Sequence, residues 1–199
     1  MKIRYEMKTV LSRLHITTLR KQQVKPIDTI LAGKETFVLA PTSSGKSAIY
    51  QIPAVLHHDY PTIVIEPTIA LMHDQVHKLT SCGIAAAYLD STMPHARQRK
   101  QFQQFQKGKV SILYITPERF ASEDFLCVLQ EMKLYMVVID ECHCVLNWGY
   151  SFRRDYLRIG GILDTLSHRP IVVALTATAT ADDIKQICKY LHMKRPVIF

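Results

Sequence analysis

A short apolar run followed by a loop of small residues, FVLAPTSSGKSAIY at residues 37–50, constrains this chain more than any other stretch. Phe37–Leu39 has the pattern of a buried strand, and a helical pattern begins after Ser47. A strand, a tight loop and a helix start are the context that a phosphate-binding loop requires. Small residues let backbone N–H groups turn towards a phosphate, and the helix N-terminus adds the positive end of its dipole.

The side chains of this loop suit a nucleotide. Lys46 can reach the β- and γ-phosphates, and the Ser47 hydroxyl can ligate Mg²⁺. The residues predicted to contact the phosphates are Thr42, Ser43, Ser44, Gly45, Lys46 and Ser47. Ala40 replaces the first glycine of the usual pattern, so the flanking strand and helix matter to the argument. The alternative is an ordinary loop that carries a solvated lysine.

Apolar runs alternate with helical patterns along the rest of the chain. Further strands are predicted at 62–65, 85–89, 111–115, 135–139, 171–175 and 197–199. Helices are predicted at 5–14, 19–31, 69–79, 95–109, 125–132, 154–166 and 182–191, and after the phosphate-binding loop. This alternation predicts an α/β fold with a mostly parallel central sheet and helices on both faces. We expect one domain over 1–199, with N-terminal helices in 1–33 and the core in 34–199.

Polar clusters follow almost every predicted strand. Functional residues gather at the carboxyl ends of strands in such sheets. The clusters are Pro41–Ser47, Pro67–Thr68, Asp90–Thr92, Thr116–Arg119, Asp140–His143 and Thr176–Thr178. We therefore expect one functional edge of the sheet.

Asp140 and Glu141 end an apolar run and suit the second half of a nucleotide site. An aspartate there can hold Mg²⁺, and the neighbouring glutamate can orient and deprotonate the attacking water. The alternative is a carboxylate pair that caps a helix. His143 is expected to link the phosphate site to its neighbours. A zinc site at Cys142–Cys144 is disfavoured, because the three ligands are adjacent and no second cluster supplies a fourth.

Two further segments carry candidate binding residues. Trp148, Phe152 and Arg153 lie in an aromatic-rich loop whose rings can stack on bases and whose arginine can hold a phosphate. Packing of Trp148 in the core is the alternative. Upstream, Thr18 is predicted to cap the helix over 19–31, in which Pro26 should cause a break or a kink. Gln23 in this helix can read an adenine edge, or it can simply face solvent.

The composition limits the cellular compartments and the binding partners that suit this chain. The 199 residues carry a net charge of +8, which favours a polyanionic partner without deciding between nucleic acid and a membrane surface. The basic helix over 95–109 can also be read as a solvated face. No 18-residue apolar span occurs, so we predict no transmembrane helix. Although charge alone leaves a membrane surface open, we expect no membrane partner. Five cysteines without a C-x-x-C pair indicate a reducing, intracellular compartment.

Taken together, the motifs of this chain resemble those of a known protein family. APTSSGKS, DECH and ALTATAT together resemble the first RecA-like domain of a superfamily 2 helicase. LRKQQ, EPTIALMHDQV, YITPER, DECHCVLNWGYSFRRDY and ALTATAT are similar to those of RecQ DNA helicases in particular. The resemblance covers about Leu14 to Met193. It implies a RecA-like P-loop fold and an ATP-dependent 3′-5′ type DNA helicase that acts in DNA repair and recombination. We accordingly expect a bacterial cytoplasm with nucleoid association rather than a nucleus.

The resemblance also implies roles for individual residues. Arg20 and Gln23 match the adenine-reading motif, whereas Lys46 and Ser47 match the phosphate and Mg²⁺ residues. Asp140 and Glu141 match the metal-holding and water-activating acids. The remaining matches are His143, Trp148, Phe152 and Arg153 for coupling to single-stranded DNA, Thr176 and Thr178 for coupling to domain motion, and Thr68, Ser91, Thr92 and Arg119 for DNA-backbone contacts.

The chain departs from the RecQ pattern in two respects. Asn147, Tyr150, Ser151 and Arg154 replace the usual residues of the aromatic-rich loop, and Ile16 and Leu19 stand where an adenine-stacking aromatic is common. The family motor also has a second RecA-like domain that supplies an arginine finger. We therefore expect the N-terminal half of a motor, whose partners are ATP, single-stranded and duplex DNA, and that second domain.

Two alternatives stay open from the sequence. The first is a DEAD-type RNA helicase domain, against which the DECH sequence and the Trp148–Arg153 loop argue. The second is a standalone module that binds nucleotide or DNA without unwinding it.

Overall fold

The computed structural model describes residues 2–42, 44–146 and 152–199, apart from the side chains of 2–5, 152 and 153. The strands are β1 (Thr36–Leu39), β2 (Thr62–Ile65), β3 (Ala86–Leu89), β4 (Ile112–Ile115), β5 (Met136–Ile139), β6 (Ile171–Thr176) and β7 (Val197–Ile198). The helices are α1 (Lys2–Arg13), α2 (Lys21–Leu31), α3 (Lys46–Leu56), α4 (Ile69–Ser81), α5 (His95–Gln106), α6 (Pro117–Phe120), α7 (Glu123–Leu129), α8 (Phe152–Thr165) and α9 (Ala181–Tyr190). A 3-10 helix spans Cys142–Val145.

The strands form one sheet in the order β3-β4-β2-β5-β6-β1-β7. All the paired strands are parallel, as in the register Ile65↔Ile139 between β2 and β5. The predicted α/β class with a parallel sheet is confirmed. The chain leaves β1 through α3 and returns at β2, three places away in the sheet, so the phosphate-binding loop lies beside β6 rather than beside the next strand in sequence.

Alternating strand residues feed two separate cores, one on each face of the sheet. Phe37, Ile63 and Ile115 pack on one face with residues of α5 to α9, whereas Val38 and Val64 pack on the other with residues of α1 to α4. Burying one such aliphatic side chain stabilises the fold by roughly 1.5–3 kcal/mol. This two-sided burial explains why the strands read as continuous apolar runs instead of alternating ones.

The order of the strands also sets the order of the loops at their carboxyl ends. Along this edge the sequence clusters follow one another as Asp90–Thr92, Thr116, Glu66–Thr68, Asp140–His143, Thr176–Thr178 and the phosphate-binding loop. The phosphate-binding loop, the acidic pair and the Thr176–Thr178 segment therefore share one half of the edge, and the predicted DNA-backbone contacts share the other. Glu66, at the end of β2, lies at the boundary between the halves.

Several local predictions differ from the structure. Helix α2 begins at Lys21 with Arg20 at the N-cap, so Thr18 does not cap it. Pro26 lies inside this helix without breaking it, because its ring is buried together with Ile27 and Ile30 against neighbouring elements. Packing on this face offsets the lost backbone hydrogen bond. Helix α7 ends at Leu129, three residues before the predicted Met132.

No helix within the described ranges is both long and apolar enough to cross a lipid bilayer.

Two adjacent glycines in α8 offer a matched test of packing. A Cβ atom on Gly160 would lie 2.3 Å from the Tyr190 backbone oxygen and 2.9 Å from His192 Cδ2, whereas a Cβ atom on Gly161 would meet nothing within 4 Å. We expect Gly160→Ala to lower the free energy of unfolding by about 1–3 kcal/mol through overpacking. Gly161→Ala should raise it by up to about 1 kcal/mol through helix propensity. Urea unfolding measures both, and equal effects of the two changes would contradict this packing.

Candidate nucleotide and nucleic-acid site

The phosphate-binding loop joins the end of β1 to the first turn of α3. Gly45 is the N-cap of α3 and has a left-handed backbone with φ 78°. Gln23 closes the loop from α2, since its Nε2 donates to the Gly45 carbonyl oxygen at 2.9 Å and its Oε1 accepts from the Arg20 backbone N–H at 2.8 Å. A Cβ atom on Gly45 would lie 2.6 Å from Gln23 Nε2. The left-handed backbone favours glycine here, and a Cβ atom would push the Gln23 amide away from its hydrogen bond.

The loop side chains differ in their surroundings. Thr42 is exposed, and Lys46 and Ser47 are half-buried in the first turn of α3. Ser44 is buried, and its Oγ has no hydrogen-bond partner among the described residues. Ser43 lies outside the described residues. A buried hydroxyl without a partner fits a loop that is completed by a polar ligand.

Asp140 and Glu141 lie two strands away, at the end of β5. Asp140 is buried, and its Oδ1 accepts the Glu141 backbone N–H at 3.0 Å. Glu141 has the uncommon left-handed backbone for a residue with a side chain, with φ 46° and ψ 45°. Such a conformation costs of order 1–3 kcal/mol and concentrates at functional sites. It turns the chain from the strand into the 3-10 helix.

A continuous polar chain connects three of the predicted motifs. Lys46 Nζ lies 3.4 Å from Glu141 Oε1, and Glu141 Oε2 lies 3.3 Å from His143 Nδ1. His143 Nδ1 lies 2.9 Å from Thr176 Oγ1, whose hydroxyl donates to the Thr178 carbonyl oxygen at 3.2 Å. Since the Thr176 hydroxyl proton is used on Thr178, we infer that His143 Nδ1 carries a proton and donates. This chain runs from the phosphate-binding loop to the end of β6.

Buried carboxyl groups lie together beneath this chain. Burial, together with the nearby Glu141 charge, raises the pKa of Asp140 to about 6, and Lys46 partly offsets the shift. Burial and the Asp140 charge raise the pKa of Glu66 to about 8. Because desolvation and like charges both disfavour the ionised form, this part of the site favours a positive ion or a proton.

These shifts predict how stability depends on pH. The folded state holds the Glu66 proton up to about pH 8, whereas the unfolded state releases it near the ordinary value of 4.5. The folded state therefore binds more protons between these values, and the free energy of unfolding should fall as pH rises through that window, by up to about 1.4 kcal/mol per pH unit. Asp140 adds to the fall in its lower part. Glu66→Gln stays neutral, so its unfolding free energy should depend less on pH and exceed that of the wild type at pH 8.

Urea unfolding between pH 5 and 9 measures this difference. Glu131→Gln, at an exposed carboxyl, is the matched control and should follow the wild type. A Glu66→Gln profile that is parallel to the wild-type profile would contradict the assignment.

The predicted DNA contacts border a cleft of about 410 Å³ at the other half of the edge. Ser91 and Arg119 line it, and Thr68 is the N-cap of α4 beside it. Thr92 is already engaged, since its Oγ1 donates to Asp90 Oδ1 at 2.6 Å. Arg119 pairs with Asp124 at 3.0 Å, while its Nε is buried without a partner in the described part of the chain. The structure thus brings these residues to one cleft, and their contact with DNA stays a prediction.

The aromatic-rich loop falls largely outside the described residues. Trp148 lies within the undescribed 147–151, whereas the backbones of Phe152 and Arg153 form the first turn of α8. Their role in coupling stays a prediction. The same is true of adenine reading by Arg20 and Gln23, since the Gln23 amide here holds the phosphate-binding loop.

Sequence reasoning gave Glu66 no role in the site. Its signal was a carboxylate directly after the buried strand 62–65, and the register of Ile65 with Ile139 places it beside Asp140. In the sequence, Tyr50 and Tyr114 belong only to apolar patterns. Their hydroxyls lie 3.4 Å apart under Asp140, and the Tyr50 hydroxyl lies 3.5 Å from Asp140 Oδ2.

The site fits a nucleotide with a divalent cation. Within the described ranges no group of three or more His, Cys, Asp and Glu is arranged to hold a metal ion, and this includes Cys142–Cys144. Mg²⁺ does not need such a group, because it is commonly bound through one or two side chains together with substrate phosphates and waters. The buried Asp140 carboxyl and the Ser47 hydroxyl at the start of α3 are the side chains that would hold it.

A phosphate-binding loop with Gly45 at the N-cap of α3, and Asp140 and Glu141 two strands away at the same edge of a parallel sheet, define a P-loop nucleotide-binding domain. The chain belongs to the DEAD/DEAH box helicase family, whose family model matches residues 20–187. Two curated relatives are named ATP-dependent DNA helicase RecQ. The one from Pasteurella multocida is 37% identical over 96% of this chain and 30% of its own length, and the one from Bacillus subtilis strain 168 is 42% identical over 82% and 28%. These relatives confirm the RecQ resemblance, and the chain spans about 30% of their length.

Solved structures show the same fold. The DEAD-box helicase Mss116 bound to ssRNA and UDP-BeF matches 98% of this chain and 42% of its own, with a TM-score of 0.78 at 21% identity. A hypothetical ATP-dependent RNA helicase from Sulfolobus tokodaii matches 98% and 56%, with a TM-score of 0.75 at 24% identity. The RecA-like helicase fold predicted from the motifs is confirmed.

Proposed function

We propose that this chain is the nucleotide-binding half of a RecQ-type DNA helicase motor. It binds ATP at the phosphate-binding loop and hydrolyses it with Glu141 as the general base. Hydrolysis is coupled to movement along single-stranded DNA and to unwinding of a duplex. The proposal rests on the polar chain from Lys46 through Glu141 and His143 to Thr176. This chain connects the phosphate-binding loop to segment 176–178, which the family resemblance assigns to coupling with domain motion.

Each side chain has one task in this proposal. Lys46 binds the β- and γ-phosphates, and Glu141 orients the attacking water and takes its proton. His143 contacts both the Glu141 carboxylate and Thr176, so it couples the position of the carboxylate to Thr176. Mg²⁺, when bound with ATP, neutralises phosphate charge. Asp140 and Ser47 would hold it, and the negative potential among the buried carboxyls favours it.

A second RecA-like domain is proposed as the opposite wall of the nucleotide cleft. It fits the share of the relatives' length that lies outside this chain. An arginine finger supplied by such a domain is worth about 10³–10⁵ in rate, so hydrolysis by this chain alone should be slow. We propose that the whole protein lies in a bacterial cytoplasm, where it associates with the nucleoid.

The test is ATP hydrolysis by this chain with single-stranded DNA, with single-stranded RNA, and with neither. Slow hydrolysis that DNA raises more than RNA is the expected result. Stronger stimulation by RNA would favour an RNA helicase, and rapid hydrolysis by this chain alone would remove the need for a second domain. Nucleotide binding without any nucleic-acid binding would favour a plain nucleotide-binding module.

A further inference from the structure

A strongly basic segment follows the predicted DNA contacts. Residues 91–110 contain five Lys and Arg and no Asp or Glu. The five are Arg97, Arg99, Lys100, Lys107 and Lys109, and all are exposed. None of them forms a salt bridge with a described residue. The positive charges of these side chains therefore face solvent, and no described carboxylate pairs with them.

Part of this segment lines a groove at the edge of the sheet. Strand β3 is the edge strand, and a groove of about 530 Å³ runs between it and α5. Arg97, Lys100, Gln101 and Gln104 line the groove at helical spacing, and Lys109 lines it beyond the end of α5. We call this surface the β3 groove. The Arg97 guanidinium lies 5.9 Å from the centre of the Tyr88 ring, a contact that helps to fix its position.

The β3 groove and the cleft that holds the predicted DNA contacts both border α5. Gln98 lines the cleft and its neighbour Arg97 lines the groove, so both depressions reach the first turn of this helix. Ser91, in the cleft, precedes this helix by four residues. A strand that leaves the cleft on this side would run directly onto the basic residues.

The spacing suits a phosphodiester backbone. Arg97 and Gln104 are seven residues apart on one helix, a rise of about 10 Å. Phosphates of a single strand that keeps its helical, stacked form recur about every 3.4 Å along the axis, so this length covers about three of them. The glutamine amides can donate hydrogen bonds to phosphate oxygens or sugars between the cations.

We propose that the β3 groove binds the phosphate backbone of nucleic acid as it leaves the cleft, without reading its sequence. This inference rests on the proposed function and extends its footprint by Arg97, Lys100 and Lys109. An acidic protein segment is the competing occupant. The unpaired positive charge, on the same helix that borders the cleft, favours nucleic acid.

The test compares two triple variants of equal net charge. Arg97→Gln, Lys100→Gln and Lys109→Gln together remove the groove cations, while Lys25→Gln, Lys34→Gln and Lys133→Gln remove three exposed lysines elsewhere. The probe is a fluorescent single-stranded DNA long enough to follow α5, beside a short one that fills only the cleft. Nucleotide binding, which neither triple should change, shows that both variants are folded.

The expected result is a smaller salt dependence for the groove variant. Each lost phosphate contact on a single strand lowers the log–log salt slope by about 0.7, so three contacts amount to about 2. Between 50 and 200 mM salt the wild type should therefore lose roughly 20-fold more affinity for the long DNA than the groove variant does. The control variant should match the wild type, and the short DNA should not distinguish the three proteins.

Three results would overturn the inference. The groove variant could keep the wild-type salt slope, or the control variant could lose as much, which would indicate a general effect of net charge. Alternatively, the groove variant could lose binding to polyglutamate while DNA binding stays unchanged, which would assign the groove to an acidic protein. If the wild type binds no DNA, the proposed function falls together with this inference, whereas DNA binding with an unchanged slope removes the inference alone.

Discussion

Replacing Lys46 by alanine is expected to lower the affinity of this chain for Mg-ATP by about 10- to 100-fold. The Lys46 ammonium group lies in the first turn of α3, 3.4 Å from Glu141 Oε1, and its side chain is 10% exposed. It is thus placed in the phosphate-binding loop and shielded from water. A hydrogen bond to a charged group contributes about 1.5–3 kcal/mol, which corresponds to this change in affinity.

Titration with a fluorescent ATP analogue in the presence of Mg²⁺ measures the loss. Lys34→Ala removes an exposed lysine before β1 and should bind nucleotide like the wild type. Lys46 also lowers the pKa values of Asp140 and Glu66, so in the alanine variant the loss of stability with rising pH should continue to a higher pH than in the wild type. Equal nucleotide affinities of the Lys46 and Lys34 variants would remove Lys46 from the site.

Replacing Glu141 by glutamine is expected to separate binding from hydrolysis. Glutamine has the same shape and can keep contacts near Lys46 and His143, but it cannot accept the proton of the attacking water. General-base catalysis contributes about 10²–10⁴ in rate, so hydrolysis should fall by that factor. Nucleotide affinity should change by only a few-fold, because no direct phosphate contact is removed.

Hydrolysis is best followed with the chain in excess over radiolabelled ATP, so that a slow reaction still accumulates product. Glu123→Gln, at an exposed carboxyl in the first turn of α7, is the matched control. A Glu141→Gln variant that hydrolyses ATP like this control would transfer the role of base to another residue. A parallel loss of binding would instead give Glu141 a role in holding the nucleotide.

Gln23 and Glu66 show which features of the site can be predicted from the sequence and which cannot. Gln23 stood out because it precedes the phosphate-binding loop, yet the sequence could not show that its amide closes that loop through Gly45. Glu66 follows a buried strand just as Asp140 does. Its importance depends on β2 and β5 being neighbours, and 70 residues of chain separate these strands.

Pro26 illustrates the opposite error. Local geometry predicts a break wherever proline removes a backbone donor from a helix. The buried faces of Pro26 and Ile27 keep α2 continuous, because tertiary packing can outweigh a local penalty of about 3 kcal/mol. No local rule contains that packing energy.

The sequence by itself determined the elements of this fold and the residue types at their ends. Continuous apolar strands, helical periodicity and the loop 40–47 depend on contacts between near neighbours in the chain, and so they can be read from it. The tertiary structure decided the order of the strands, because that order depends on which faces bury together over long distances. It thereby placed Glu66 beside Asp140, joined Lys46 to Thr176 through Glu141 and His143, and brought the basic helix α5 alongside the cleft.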